Sequence, residues 1–315
     1  AEAATDAVVN LALLSGAVSG EQGGLFPMEE KNNSQGALDA GVAFDLLPGY
    51  LPAPAGGKDL KGIVDGIEQG SIRALIVAGA DPVATLPGGD RLRQAFAKLE
   101  HLVVVDAFPT ETTRLAHVLL PAALPAEKSG SFTTPDQRRQ WFDRAVSPKG
   151  EAKSDGEIFT LLSNRLTGAS ALFDPSQTAA ELAQVAPALG SDRYKVGSVS
   201  FSALQSAPAS ASANRLLCGP ILFHNGTMST WSENNLSVAQ AGYLELSSAD
   251  AAKLGIVEGE GVRLTTTSGT ITGTARISSR MPAGLFFAPY HFRDLKAPLL
   301  LSWGSNLVDV QVSRG

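Results

Sequence analysis

The sequence of 315 residues is poorest in the side chains that usually mark metal and redox chemistry. It has one cysteine, Cys218, and four histidines: His101, His117, His224 and His291. A single cysteine excludes a disulfide framework, a cysteine-ligated iron–sulfur cluster and a structural zinc site built by this chain alone. The histidines are scattered, with no H-x-x-x-H spacing, so no metal site is expected from them. No apolar run approaches the roughly 18 residues of a spanning helix, and direct membrane insertion is not expected. A basic excess is also missing: 25 Lys and Arg stand against 31 Asp and Glu, a net charge of −6, which argues against nucleic acid as a partner. No signal-like segment precedes the helical pattern in "TDAVVNLALLSGAV", and the chain reads as a piece of a longer polypeptide.

What is present is a globular composition, 44% apolar and 18% charged, long enough for two domains and rich in turn formers, with 32 glycines and 18 prolines. Apolar spacing predicts a helix over 6–18 that stops at "SGEQGG". From about residue 58 helices and strands alternate. "LKGIVDGIEQG" and "GDRLRQAFAKLE" read as helices, "TETTRLA" as a short one, and "IRALIVAGADP", "HLVVVDAFPT" and "HVLLPAA" as buried strands. That alternation predicts βαβ units and a parallel sheet covered on both faces. The loops "GADPVATLP", "DAFPTETT" and "AEKSGSFTT" would then open at one sheet edge, where ligands of such folds bind. "SDGEIFTLLSNRLTG" is another helix, and residues 166–213 form a Ser-, Ala- and Pro-rich connector with one helix near 177–186. Beyond it come short strands at "GPILFHNG", "GYLELS", "GLFFAPYHF" and "NLVDVQVS", and a hairpin turning at Ser268–Gly269. One helix, capped by Ser247 or Ser248 and closed by Gly255, interrupts them. The pattern predicts a small barrel over 214–315 after an α/β domain over 1–165.

Four stretches, in order, resemble the C-terminal half of the molybdopterin oxidoreductase superfamily. They are "GLFPMEEKNNSQGALDAG", "ALIVAGADPVATLP", "VVVDAFPTETTRLAHVLLPAALPAEKSGSFTTPDQRRQ", and "LFHNGTMSTWSENN" leading into "LELSSADAAKLGIVEGEGVRLTTTSGTITGTARISSRMPAGLFFAPYHF". The resemblance implies a truncated α/β domain followed by a double-psi β-barrel, which in cofactor-carrying members covers the guanine dinucleotide end of the cofactor. Carried over position by position, it places Asn32, Asn33, Gln35 and Gly36 on a first cofactor-side loop and Gly79, Asp81 and Pro82 on a second. Thr110, Glu111 and Thr112 fall on a third, and Glu127, Lys128, Gly130, Thr133 and Arg138 on a fourth. His224, Gly226, Thr227, Met228 and Ser229 match the barrel's dinucleotide loop. Short donors held by backbone turns suit a pyrophosphate and a guanine. Plainer roles stay open for the same residues: turn chemistry at Asn32–Asn33, ion pairing of Arg138 or Arg139 with Asp136 or Asp143, and an N-cap at Thr110–Thr112. Likewise His224 could be a satisfied barrel residue, and Glu127 and Lys128 could pair within the fold.

The superfamily's metal-ligating residue and cluster cysteines lie in a more N-terminal region, so the chain is expected to have no catalytic or metal-ligating residue of its own. Other departures touch the cofactor loops. Thr134 and Pro135 replace a polar pair, "RDLKAPLLLSWGSNL" replaces small residues and an Asn, and Glu29 and Glu30 precede the first motif. Two carboxylates beside a pyrophosphate would cost about 1 kcal/mol each at moderate dielectric. A retained scaffold with eroded contacts resembles the large iron–sulfur subunit of respiratory NADH:quinone oxidoreductase. That implies no cofactor in this chain and iron–sulfur clusters in the polypeptide before it. It further implies partner subunits of a respiratory complex on the cytoplasmic face of the inner membrane. The alternative is a formate dehydrogenase-like protein holding a molybdopterin guanine dinucleotide. A Rossmann dehydrogenase and a serine hydrolase are disfavoured, because neither G-x-G-x-x-G nor G-x-S-x-G follows a strand.

Overall fold

The computed structural model describes residues 2–18, 23–26, 28, 31–54, 57–187, 201, 203, 214–239 and 241–315. Glu29, Glu30 and most of the connector beyond residue 187 lie outside them. In chain order the elements begin with α1 (Glu2–Leu14), α2 (Ser34–Asp39), β1 (Leu46–Leu47), β2 (Leu51–Pro52) and α3 (Leu60–Glu68). Then come β3 (Ala74–Ala78), α4 (Pro82–Thr85), α5 (Gly89–Phe96), β4 (His101–Asp106) and β5 (Val118–Pro121). These are followed by β6 (Gly130–Thr133), β7 (Arg139–Phe142), α6 (Asp155–Thr167), α7 (Pro175–Val185), β8 (Arg215–Gly219) and α8 (Glu233–Val238). The last are β9 (Tyr243–Ser247), α9 (Ser248–Leu254), β10 (Gly261–Thr265), β11 (Thr270–Ser278), β12 (Leu285–Pro289), β13 (Leu307–Asp309) and β14 (Gln311–Arg314). Among the described residues no helix is long and apolar enough to cross a membrane. The chain folds into two interleaved units, Ala1–Asp59 with Ala123–Ala209, and Leu60–Ala122 with Ser210–Gly315.

In the first unit the local chemistry sets the ends of the elements. Ser154 caps α6 by accepting from the Glu157 amide, while the Glu157 carboxylate accepts from the Ser154 amide, and Gly168 closes the helix in the left-handed region. Asp174 caps α7, with Pro175 at its first position. The stretch 126–140, expected as an open loop, instead carries the antiparallel hairpin β6–β7. Phe132 and Phe142 stack across it at 4.8 Å, and Gln137 takes φ 67° in its turn.

In the second unit β3, β4 and β5 form a parallel sheet in that order. The amphipathic helices α3 and α5 cover one face, burying Val64, Ile67, Leu92 and Phe96 against Leu102 and Val104. Each such side chain contributes about 1.5–3 kcal/mol when fully buried. On the other face Val105 is fully buried, while the residues on the two outer strands are more open. Ile76 and Val118 flank Val103 in register there and are 52% and 48% exposed. The segment joining β4 to β5 holds the 3-10 turn Thr113–Leu115 in place of a crossover helix.

The remainder of this unit is a seven-stranded mixed sheet in the order β13-β8-β12-β9-β11-β10-β14, the double-psi barrel part of the fold. Leu216, Leu244, Leu246, Leu264, Phe286 and Leu300 fill its core. Gly273 sits where a Cβ would lie 2.7 Å from Leu295 Cδ1 and 2.9 Å from Leu244 Cγ, so β11 can pass there only as glycine. α9 starts on the Ser247 cap and ends at Gly255, as expected. The strand expected through "GPILFHNG" stops at Gly219. Pro220 cannot donate to a ladder, and only an Ile221–His224 bridge follows.

Candidate functional site

Within the second unit, two of the strand-end loops are locked together by one carboxylate. Gly79, in the left-handed region at φ 60°, follows the end of β3, and the chain turns into α4 through Asp81 and Pro82. Asp81, 6% exposed, accepts from the Thr112 amide at 3.0 Å, the Thr112 hydroxyl at 2.7 Å and the Glu111 amide at 3.3 Å. Thr112 Oγ1 in turn accepts from the Val83 amide. Thr110 and Thr113 exchange side-chain and backbone bonds, so the third loop closes on itself. Arg93 donates to Glu111 at 2.9 Å and Arg114 also pairs with it; the Arg93 bond, chiefly, holds the Glu111 carboxyl below its ordinary range.

On the barrel side His224 is 1% exposed. Its Nε2 lies 3.1 Å from the His291 carbonyl, which can only accept, so Nε2 carries a proton, and Nδ1 lies 2.7 Å from the Ser229 hydroxyl, which also reaches the Gly226 carbonyl at 2.6 Å. Burial pushes the His224 pKa below its ordinary value, partly offset by the carbonyl bond. His224 is thus the satisfied barrel residue, and Ser229, also buried, is its partner. Gly226 donates its amide to Ser229 Oγ, and Met228 points to solvent, 55% exposed.

Between these loops lies a cleft of about 330 Å³. Asp81, Glu111 and Thr227, all expected from the sequence, line it. So do Asp90, Arg93, Thr230, His291, Arg293 and Lys296, which the motifs did not single out. Leu86, Phe292, Pro298 and Leu299 give it an apolar wall. Arg293 stacks its guanidinium 4.7 Å over the Trp231 ring, and Trp231 stacks on Phe108 at 5.3 Å and 4°. Lys296 is held at φ 54° just before a proline-led 3-10 turn.

The other expected residues lie in the first unit, where most of their side chains are used within the fold. Asn33, at φ 62°, accepts from the Thr133 amide at 2.9 Å. A Cβ on Gly36 would come 2.2 Å from that Asn33 oxygen, which is why glycine stands there. Asn32 is exposed. Gln35 donates to Asp39 and to the Tyr50 hydroxyl, and burial together with Asp39 pushes the Tyr50 pKa up to about 12. Glu127, 7% exposed, accepts from the Leu124 amide, Lys128 pairs with Asp155, and Gly130 abuts the Phe142 ring. Arg138 pairs with Asp136 at 2.6 Å while remaining 78% exposed. Thr134, one of the departures, bonds to Asp136 and to the Arg138 backbone, closing the hairpin turn.

The cleft carries groups of both charges, and its free donors are those of Arg293, Lys296, Thr227 and Thr230 rather than Arg93, which pairs with Glu111. Its lining holds three cations, Arg93, Arg293 and Lys296, three carboxylates, Asp81, Asp90 and Glu111, and the hydroxyls of Thr227 and Thr230, and the volume is at the lower end for small-molecule sites. The molybdopterin oxidoreductase profile matches residues 1–165, and the molybdopterin dinucleotide binding domain profile matches residues 222–309. The chain belongs to the molybdopterin oxidoreductase family. It is 46% identical to the NADPH-Fe(3+) oxidoreductase subunit alpha of Geobacter sulfurreducens, over 99% of this chain and 40% of that protein. An NADH-quinone oxidoreductase subunit of Rhizobium meliloti is 30% identical over 90% of the chain and 37% of its own length. The F420-dependent formate dehydrogenase subunit alpha of Methanocaldococcus jannaschii is 29% identical over 94% of the chain and 52% of its own length. The chain therefore spans about half or less of these relatives. Acetylene hydratase from Pelobacter acetylenicus shares the fold with a TM-score of 0.53 at 16% identity, over 78% of this chain and 40% of that one.

Proposed function

We propose that this chain is the C-terminal part of the large subunit of an NAD(P)H-dependent oxidoreductase, and that it acts there as a scaffold without redox chemistry of its own. The observation that carries the scaffold role is the internal pairing of the loop side chains. Asn33, Lys128, Arg138, Asp81 and His224 each spend their bonds within the fold. The NAD(P)H link is supported by the 46% identity to a subunit named for NADPH, against 26–31% for those named for formate dehydrogenases. Electron-relay clusters and the NAD(P)H site would then belong to polypeptide outside these 315 residues and to partner subunits. Attachment to the inner membrane's cytoplasmic face goes with the NADH:quinone version alone.

A second reading rests on the cleft. Thr227, Thr230, Arg293 and Lys296 are placed to hold the nucleotide end of a pterin dinucleotide cofactor, the threonines by hydrogen bonds and the cations by charge. Such a cofactor supplies redox chemistry at its metal-bearing pterin end. The residues named here would only anchor and orient it. Metal and pterin analysis of the complete subunit separates the readings. The scaffold reading expects no stoichiometric molybdenum, tungsten or guanine dinucleotide; one equivalent per subunit would overturn it in favour of the second. Reduction of an acceptor by NADPH or NADH, with none by formate, is expected of the complete complex, and the reverse pattern would sink the NAD(P)H assignment.

A further inference from the structure

One buried hydroxyl in the barrel has two acceptors beside it and a single proton to give. Ser229 Oγ stands 2.7 Å from His224 Nδ1 and 2.6 Å from the Gly226 carbonyl, and it accepts from the Gly226 amide at 3.3 Å. It can donate to the imidazole or to the carbonyl, not to both at once. With His224 neutral, Nε2 donates to the His291 carbonyl and Ser229 donates to Nδ1. The Gly226 carbonyl then still accepts from the Ser229 amide at 3.2 Å. With His224 protonated, Nδ1 turns donor to Oγ and the hydroxyl is released to the Gly226 carbonyl. Each arrangement satisfies every group of the set at the distances observed. We propose that His224 and Ser229 form a proton-operated switch. Uptake of one proton by the imidazole turns the Ser229 hydroxyl from Nδ1 to the Gly226 carbonyl and tightens the turn that carries Thr227, Thr230 and Trp231.

Its placement gives the switch reach. Ser229 belongs to the 3-10 turn Thr227–Trp231, whose threonines line the cleft and whose Trp231 lies between Phe108 and Arg293. The other ring nitrogen holds the loop of His291, Arg293 and Lys296, in which His291 and Lys296 take φ 64° and 54°. One buried ring thus clips together the two barrel loops of the cleft. The titratable and charged groups facing it are His291, its ring centre 5.9 Å away, and Asp294, while Phe292 packs edge-on at 4.5 Å. Arg293 and Lys296 stand on the same loop as Asp294. Burial opposes the charged state and sets its midpoint below the ordinary 6.5, whereas the His291 carbonyl and the Asp294 carboxylate favour it. The switch therefore turns in mildly acidic solution, whatever the cleft holds.

Titration of the complete subunit from pH 8 to 5 tests this. Trp231 emission, obtained by difference against Trp231→Phe, should shift with a one-proton midpoint below 6.5. His224→Asn should abolish the shift. Ser229→Ala leaves the imidazole able to protonate but cuts its link to Gly226, and it should abolish the shift as well. A shift that survives Ser229→Ala shows the imidazolium charge acting on the indole directly, and one that survives His224→Asn belongs to another group; either overturns the proposal. So does the absence of any shift in the wild type. In case a variant fails to fold, deuterium exchange at the imidazole C2 atom, read by mass on the wild-type peptide carrying His224, is an independent measure. It should report a titration below 6.5 in the folded subunit, and an imidazole that stays neutral down to pH 5 rejects the switch.

Discussion

Asp81 shows how much of the cleft wall can rest on one carboxylate. It accepts three hydrogen bonds from two residues thirty positions away in sequence. Asp81→Ala leaves those buried donors without an acceptor, and we expect a loss of about 2–3 kcal/mol in unfolding free energy, read as a lower urea midpoint. Asp81→Asn keeps an acceptor oxygen and should lose less. His224 sets a pH dependence. Its pKa is lowered in the fold from the ordinary 6.5, so the unfolded chain takes up a proton first as pH falls. Stability from the neutral imidazole is present above about 6.5 and is lost as pH drops below it. Urea midpoints measured from pH 8 down to 5 should fall, and His224→Asn, which cannot protonate, should remove that component. The motifs pointed to both residues, but not to their roles. A residue type at a loop position says that a hydrogen bond is made there, not whether the partner is a ligand or the neighbouring loop. Arg293 and Lys296 are the converse case. They stand in "RDLKAP", a stretch that reads as a departure from cofactor binders, and only the fold brings them to the cleft.

At the scale of elements, sequence periodicity located α3, α5, α6, α7 and the three parallel strands, because caps, glycine stops and β-branched runs act locally. What it missed depends on distant contacts. The β6–β7 hairpin hid in a polar stretch, since its pairing rests on Phe132 meeting Phe142 and on Asn33 accepting from Thr133. Gly273 is a case where packing decides. Leu244 and Leu295 both come within 3 Å of the place a Cβ would take, so Gly273→Ala must push β11 or the leucines aside. We expect it to cost about 1–3 kcal/mol, measured by thermal or urea unfolding, whereas Gly259→Ala, with open space but φ 81°, tests backbone strain alone.

For the molecule as a whole, the second unit joins two stretches of chain separated by nearly ninety residues. Trp303, from the last stretch, packs against the core that α3, α5 and β4 share. Such long-range closure couples the sheet and the barrel, so both should unfold in one transition. Cys218 supplies the measurement: fully buried, with its thiol pushed up to about 12 by burial, it should resist thiol reagents until the barrel opens. Its labelling in urea should share a midpoint with hydrogen exchange of the β4 amides, and two separated midpoints would show that the halves are independent. The stack of Phe108, Trp231 and Arg293 has a consequence of a different sort. Any anion that draws the guanidinium into the cleft must lift it from the indole face, changing the polarity that Trp231 feels. With only three tryptophans in the sequence, the emission colour of this one becomes an optical gauge of whether the cleft is filled.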